Sequence, residues 1–206
     1  MSPSDGPARA EDLAIVACYF ASDVHLRMDR PDRGARFTRW VEGIGSDEAI
    51  LIIGDLCDFW MGSRLREREL LGCDGLQALF RFRARGGSLS IMPGNHDFWL
   101  RPFYQRELGA TILPDPFETT LHGLRLHVVH GHLLGARKRW KALMESREFW
   151  TAFRLVPFPV AAVLDKVLER NNQSGLAEDE RRHLAVYRTY AASHQEADLV
   201  VIGHVH

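Results

Sequence analysis

The stretch Ala49–Asp58, AILIIGDLCD, constrains this chain more than any other. Ile50, Leu51, Ile52 and Ile53 form an unbroken aliphatic run rich in β-branched residues, the pattern of a strand buried on both faces. Gly54 breaks the run, and Asp55 follows where the strand should end. In open α/β sheets, ligands bind just beyond the carboxyl ends of the strands, so a carboxylate there is placed to hold a metal. Alone, Asp55 reads better as a turn residue or a helix N-cap. It has company: Asp23-x-His25, Gly94-Asn95-His96-Asp97, His130 and Gly203-His204-x-His206 also follow, or sit close to, short apolar runs.

Residues 1–11 read as a flexible tail ahead of one domain, residues 12–206. Leu13 to Phe20 reads as the first buried strand, delivering Asp23 and His25. Strand side chains repeat every second residue, so both can face one metal if the segment stays extended. Phe37, Trp40, Val41 and Ile44 recur at helical spacing and read as core. Asp58 reads equally as a brace for a histidine ligand or as a cap. Residues 65–84 look helical, stopped by Gly86-Gly87. Ser88 to Met92 is a third strand, and the loop after it carries Asn95, a neutral oxygen donor, and His96, which a mere turn does not need. Leu100 to Leu108 suggests a short helix and Thr111 to Leu113 a short strand. Two strands flanking His122-Gly123 suggest a hairpin whose second arm delivers His130-Gly131-His132. His122 and His127 read as ordinary turn or strand histidines. Residues 133–196 read as a helical insertion rich in arginine and large apolar groups. Asp198 to Ile202 is a last strand, ending at His204 and His206.

A formal net charge of −1 gives no pull toward nucleic acid. Cys18, Cys57 and Cys73 lack zinc-type spacing and read as reduced thiols in a cytoplasmic protein. No secretory signal or membrane-spanning run is evident. Seven candidate ligands thus stand at strand ends: Asp23, His25, Asp55, Asn95, His130, His204 and His206. Carboxylate, imidazole and amide oxygen suit manganese, iron or zinc, and the absence of thiolate argues against a structural zinc. Seven ligands exceed the needs of one such ion and suit two if one carboxylate bridges. Two ions about 3.5–4 Å apart clamp the attacking and leaving oxygens of a displacement at phosphorus.

The ordered set D-x-H, G-D, G-N-H-D, H-G and G-H-x-H resembles the calcineurin-like metallophosphoesterases. That resemblance implies an α/β fold, a four-layer αββα sandwich of two mixed sheets with a helical lid insertion. It implies that Asp23, His25 and His206 hold one divalent ion, that Asn95, His130 and His204 hold the other, and that Asp55 bridges them. Manganese is the expected metal, with iron or zinc as alternatives. It further implies that His96 is catalytic, stabilising the phosphorane or protonating the leaving group, and that Asp97 supports His96 by hydrogen bonding.

Within that superfamily, SDVHL, GDLCDFW and GNHDFWL resemble the UDP-2,3-diacylglucosamine diphosphatases of lipid A synthesis, with His96 in place of that family's arginine and His132 in place of its H-G-D aspartate. The resemblance implies cleavage of the diphosphate to a lipid monophosphate and UMP, and an insertion that receives acyl chains. Arg137, Lys138, Arg139 and Lys141 are then expected at the diphosphate, Asn171 and Asn172 as polar contacts, and Trp150, Phe153 and Phe158 as points of peripheral contact with the inner membrane. The family continues beyond the position of His206 with strands that finish the second sheet. This chain is therefore expected to be a truncated form and a poor enzyme alone. A soluble nucleotide or other phosphodiester as substrate, and a non-catalytic scaffold, are the competing readings.

Overall fold

The computed structural model describes residues 17–28, 30–58, 70–134, 146, 149, 152 and 176–204, with side chains of the last segment from 184 onward. Two sheets face each other. The first has the order β1-β2-β3-β4, formed by Cys18–Ala21, Ala49–Ile53, Ser88–Met92 and Thr111–Ile112. The second has the order β5-β6-β7, formed by Phe117–Leu121, Leu124–Val129 and Leu199–Ile202. All described strands of the first sheet run parallel. Mixing of direction is confined to the second, where β5 is antiparallel and β7 parallel to β6.

Every residue of β2 is buried. Its side chains alternate between two cores, as a strand covered on both faces requires. Ile50 and Ile52 join Val41, Leu76, Leu79 and Phe82 beneath α1 (Pro31–Glu42) and α2 (Asp74–Ala84). Leu51 and Ile53 join Met92 against Leu126 and Val128 of the second sheet. The helix α3 (Arg101–Leu108) adds Phe103, Tyr104 and Leu108 to the first core. The helix α4 (Leu176–Ser193) lies on the far side of the second sheet, where Tyr190 Oη meets His127 Nε2 at 2.9 Å. The layers therefore run helix, sheet, sheet, helix.

Local chemistry sets the boundaries. The helix expected over 65–84 is interrupted, because Leu70 is helical, residues 71–73 form a turn and α2 begins at Asp74. Gly72 disfavours helix, and Asp74 complements the positive end of the helix dipole. At the other end, Gly86 N–H donates to Arg83 and Gly87 N–H to Phe82, the paired bonds that close a helix through a left-handed residue. The hairpin turn is His122-Gly123, both at positive φ, which matches the twist of the paired strands. The expected strand Leu13–Phe20 is described only from Cys18, since residues 13–16 lie outside the described set. Most of the insertion expected at 133–196 also lies outside it.

Leu79 is fully buried between α2 and the first sheet. Leu79→Ala should lower stability by about 2–5 kcal/mol through lost burial and a residual cavity, measured as a fall in urea midpoint with unchanged slope.

Candidate metal centre

The carboxyl ends of β1, β2, β3, β6 and β7 converge on one edge of the sandwich, and the loops leaving them carry the polar groups. Four of these groups, Asp23, His25, Asp55 and His204, have φ between 48° and 69°. Left-handed backbone is uncommon outside glycine and collects at functional sites, where surrounding bonds hold it. Here the loops after β1 and β2 remain hydrogen-bonded: Asp23 N–H donates to Gly54, His25 N–H to Asp55 and Leu26 N–H to Leu56, at 2.9–3.1 Å. Asp23 and His25 do meet, with His25 Nε2 3.8 Å from Asp23 Oδ1. The means differs from expectation, because two left-handed residues beyond the strand, rather than an extended pleat, bring them together.

Asp55 is central and only 1% exposed. Its Oδ1 accepts from His96 N–H at 2.8 Å, and its Oδ2 lies 3.3 Å from His130 Nε2. His130 is fully buried. It donates from Nδ1 to Ile53 O at 3.0 Å, which directs Nε2 toward Asp55 and toward Asn95 Oδ1, 3.3 Å away. This is how a metal-ligating imidazole is commonly oriented, through a bond from its other nitrogen. Two glycines make the arrangement possible. A Cβ on Gly54 would land in the His130 ring, and one on Gly94 would overlap Asp55 Oδ1 and lie 2.6 Å from Asp55 N. The second sheet is joined to the first by His204 N–H, which donates to Asp23 Oδ2 at 2.7 Å. Ser22 Oγ lies within hydrogen-bond reach of that carboxylate and of Ile53 O, and its single proton serves one of the two.

Two groups of donor atoms result, each close enough to share an ion: Asp23, Asp55, His130 and His204, and His25, Asp55 and His96. Asp55 is common to both. Asp23 falls with His130 and His204 in the first group and also lies 3.8 Å from His25, while His96 joins His25 in the second. Asn95 reaches the first group through His130. His206 lies outside the described residues, as do Arg137, Lys138, Arg139, Lys141, Asn171, Asn172, Trp150, Phe153 and Phe158. A divalent cation fits the donors. Asp23 Oδ1 is buried without a hydrogen-bond partner, and Asp55 Oδ2 has only the His130 ring at 3.3 Å, although buried carboxylate oxygens normally are fully satisfied.

One further carboxylate is engaged differently from expectation, and two others support the site's histidines. Asp97, expected to support His96, is fully buried. It instead accepts from Gly94 N–H at 2.8 Å, Tyr104 Oη at 2.8 Å and Cys57 N–H at 3.3 Å, locking the loop that carries Asn95 and His96. Burial and the charge of Asp55 push Asp97 up to about 6 against those donors. The brace on the His96 ring is Asp58, whose Oδ1 accepts from Nδ1 at 3.2 Å while Oδ2 accepts from Arg27 at 3.2 Å. Asp115, which no motif marks, accepts the His130 N–H at 3.2 Å. Its other oxygen lies 3.8 Å from His132 Nδ1, and the His132 ring is 5.2 Å from that of His130.

The electrostatics follow from the shared carboxylate. Burial alone pulls His130 down, but the hydrogen bond and charge of Asp55, aided by Asp23 and the Ile53 carbonyl, raise it to about 9. Desolvation likewise lowers His96, and the charges of Asp55, Asp58 and Asp97 with the Asp58 hydrogen bond raise it to about 9. His204 is pushed the other way, to about 3, by burial and the charge of His130, against Asp55.

A family model described as calcineurin-like phosphoesterase matches residues 18–206. The chain belongs to the calcineurin-like phosphoesterases. This phosphoesterase is similar to the UDP-2,3-diacylglucosamine hydrolase of Pseudomonas paraeruginosa, 36% identical over 172 residues, which cover 77% of this chain and 68% of that one. It is similar to the protein of the same name from Aeromonas salmonicida, 36% identical over 121 residues, covering 58% of this chain and 46% of that one. A third, from Haemophilus influenzae, is 25% identical over 198 residues, covering 91% of this chain and 82% of that one. The match therefore spans about half the length of the Aeromonas relative.

Imidazoles must be neutral to coordinate, so ion binding must displace the proton from His130 below pH 9. Manganese affinity should rise with pH from 6 toward 9, by about tenfold per unit for each proton released. Calorimetry in buffers of different ionisation heat should detect that release at pH 7. His204, held at about 3, is already neutral and contributes none of it.

Proposed function

We propose that this phosphoesterase is a dinuclear metal-dependent hydrolase that cleaves the diphosphate of UDP-2,3-diacylglucosamine to a lipid monophosphate and UMP. The observation that carries the reading is the position of Asp55, which belongs to both ligand groups, with His130 on one side and His25 and His96 on the other. The names of the similar proteins support the substrate. Asp23, His25 and His206 would hold one ion and Asn95, His130 and His204 the other, with Asp55 within reach of both. Manganese is the expected metal. When bound, the ions supply Lewis acidity toward the phosphoryl oxygens and an acidified water.

The chain's own groups do the rest. Asp58 holds the Nδ1 proton of His96, so the donor toward the reacting group is Nε2. With three carboxylates raising its pKa, His96 carries a proton at neutral pH. That proton offsets charge on the phosphoryl oxygens or passes to the departing oxygen. Asp97 keeps the loop of His96 rigid from beneath. A substrate with acyl chains calls for contact with the inner membrane from the cytoplasmic side, through the insertion over 133–196. Among the described residues, no helix is long and apolar enough to cross a membrane.

The decisive assay supplies UDP-2,3-diacylglucosamine in detergent with manganese. Release of UMP and lipid monophosphate is the expected result. Turnover of a simple phosphodiester without turnover of the lipid would keep the metal chemistry and discard the substrate, and turnover of neither would indicate a scaffold. His96→Ala should keep both ions and lose about 10²–10⁴-fold in kcat, while Asp55→Ala should lose the ions as well, read by metal analysis of the purified variants. Loss of metal from the His96 variant would make His96 a ligand.

A further inference from the structure

The ring of His96 is restrained from more than one side. The His25 ring meets it edge-on, with centroids 4.8 Å apart and planes at 79°. That contact limits tilting, but rotation about the bond to an imidazole has only a broad preference of its own. The hydrogen bond from Nδ1 to Asp58 Oδ1 at 3.2 Å fixes the rotation and so directs Nε2. Its effect depends on how firmly Asp58 is held, because a carboxylate turns as readily about its own last bond.

The second oxygen of Asp58 is taken by Arg27, whose Nη1 donates to Oδ2 at 3.2 Å. The two side chains are only 10% and 13% exposed, unlike the loose surface pairs that contribute little. Backbone pairing puts them together. Leu26 and Cys57 form a parallel bridge beyond the ends of β1 and β2, and Asp58 N–H donates to Leu26 O at 3.1 Å. Both bridging side chains are fully buried in the first core. Alternation turns the next pair, Arg27 and Asp58, to the opposite side, where His96 lies. The carboxylate is thus bonded at both oxygens, by a guanidinium on one side and the imidazole on the other.

We infer that Arg27 is a positioning residue for His96: by holding Oδ2 of Asp58 it fixes the plane of the carboxylate, and through Oδ1 the direction of the imidazole. The inference rests on the hydrolase reading for what His96 does, but the restraint on the ring is present without metal and is read there separately.

The test compares the full chain with Arg27→Met, which keeps a stem of similar bulk and drops the donors, and Arg27→Lys, which restores a cation. Asp58→Asn is made alone and combined with Arg27→Met. With manganese and UDP-2,3-diacylglucosamine, Arg27→Met should lose about 10- to 100-fold in kcat, with KM within about twofold and manganese content unchanged. Arg27→Lys should recover part of the loss. In the Asp58→Asn background, Arg27→Met should cost less than about twofold, because its effect runs through that carboxylate. A full-sized fall in that background overturns the inference, as does an unchanged kcat, a fall carried by KM, or lost manganese. Arg27→Gln takes the place of Arg27→Met if thermal unfolding shows that the latter does not fold.

NMR of protein carrying nitrogen-15 histidine, in EDTA, reads the Nδ1 proton of His96, assigned by its loss in His96→Gln. Its exchange with water should be slow in the wild type, at least about tenfold faster in Arg27→Met, and slower again in Arg27→Lys. If the wild type does not hydrolyse the lipid, the hydrolase reading fails, and the restraint is judged by this proton alone. Equal exchange in wild type and Arg27→Met overturns it, as does absence of the signal from the wild type.

Discussion

The contact between Asp55 and His130 governs this structure. Both side chains are removed from water, and Asp55 Oδ2 lies 3.3 Å from His130 Nε2. Burial opposes ionisation of Asp55, yet His130, His96 and His25 hold its carboxyl well below the ordinary range. A buried charge of this kind persists only where opposite charge and hydrogen bonds surround it, and removing one partner leaves the other exposed to the full desolvation penalty. The glycines at 54 and 94 are consequences of the same contact, since side chains there would occupy the space of His130 and Asp55. So is the left-handed backbone at Asp55, which turns the carboxylate off the end of β2 and into the site.

Much of the framework was legible in the sequence because its signals are local. The run Ile50–Ile53 declared a doubly buried strand, and the structure buries all of Ala49–Ile53. Ser88–Met92 and the His122-Gly123 hairpin were read to the residue or nearly so, since strand alternation and turn chemistry are local properties. The gathering of Asp23, His25, Asp55, Asn95, His130 and His204 was legible for another reason. Each polar residue follows an apolar run, and the carboxyl ends of these strands share one edge.

What the sequence hid are contacts between groups far apart in the chain. Asp58 and Asp97 are both acids near His96, and nothing in their spacing says which braces the ring. The choice is made by Tyr104, whose hydroxyl comes from α3 and holds Asp97 beneath the loop. Asp115 sits in a Pro-Asp-Pro turn that reads as punctuation. Only the packing of the hairpin against the first sheet brings it under His130. The expected extended geometry of Asp23 and His25 failed because the pleat rule applies within a strand, and both residues lie just past one.

The bond from His204 to Asp23 joins residues 181 positions apart. Its lateness along the chain bears on synthesis. A polypeptide leaving the ribosome presents Asp23, His25 and Asp55 long before the strand that carries His204 has been translated, and domains form their distant pairings only when both partners are available. The acidic half of the cluster must therefore wait, partly made, while the intervening helices emerge. Capture of ions with the complete donor set can consequently follow only the synthesis of β7, and metal occupancy doubles as a record that β1 and β7 have found each other.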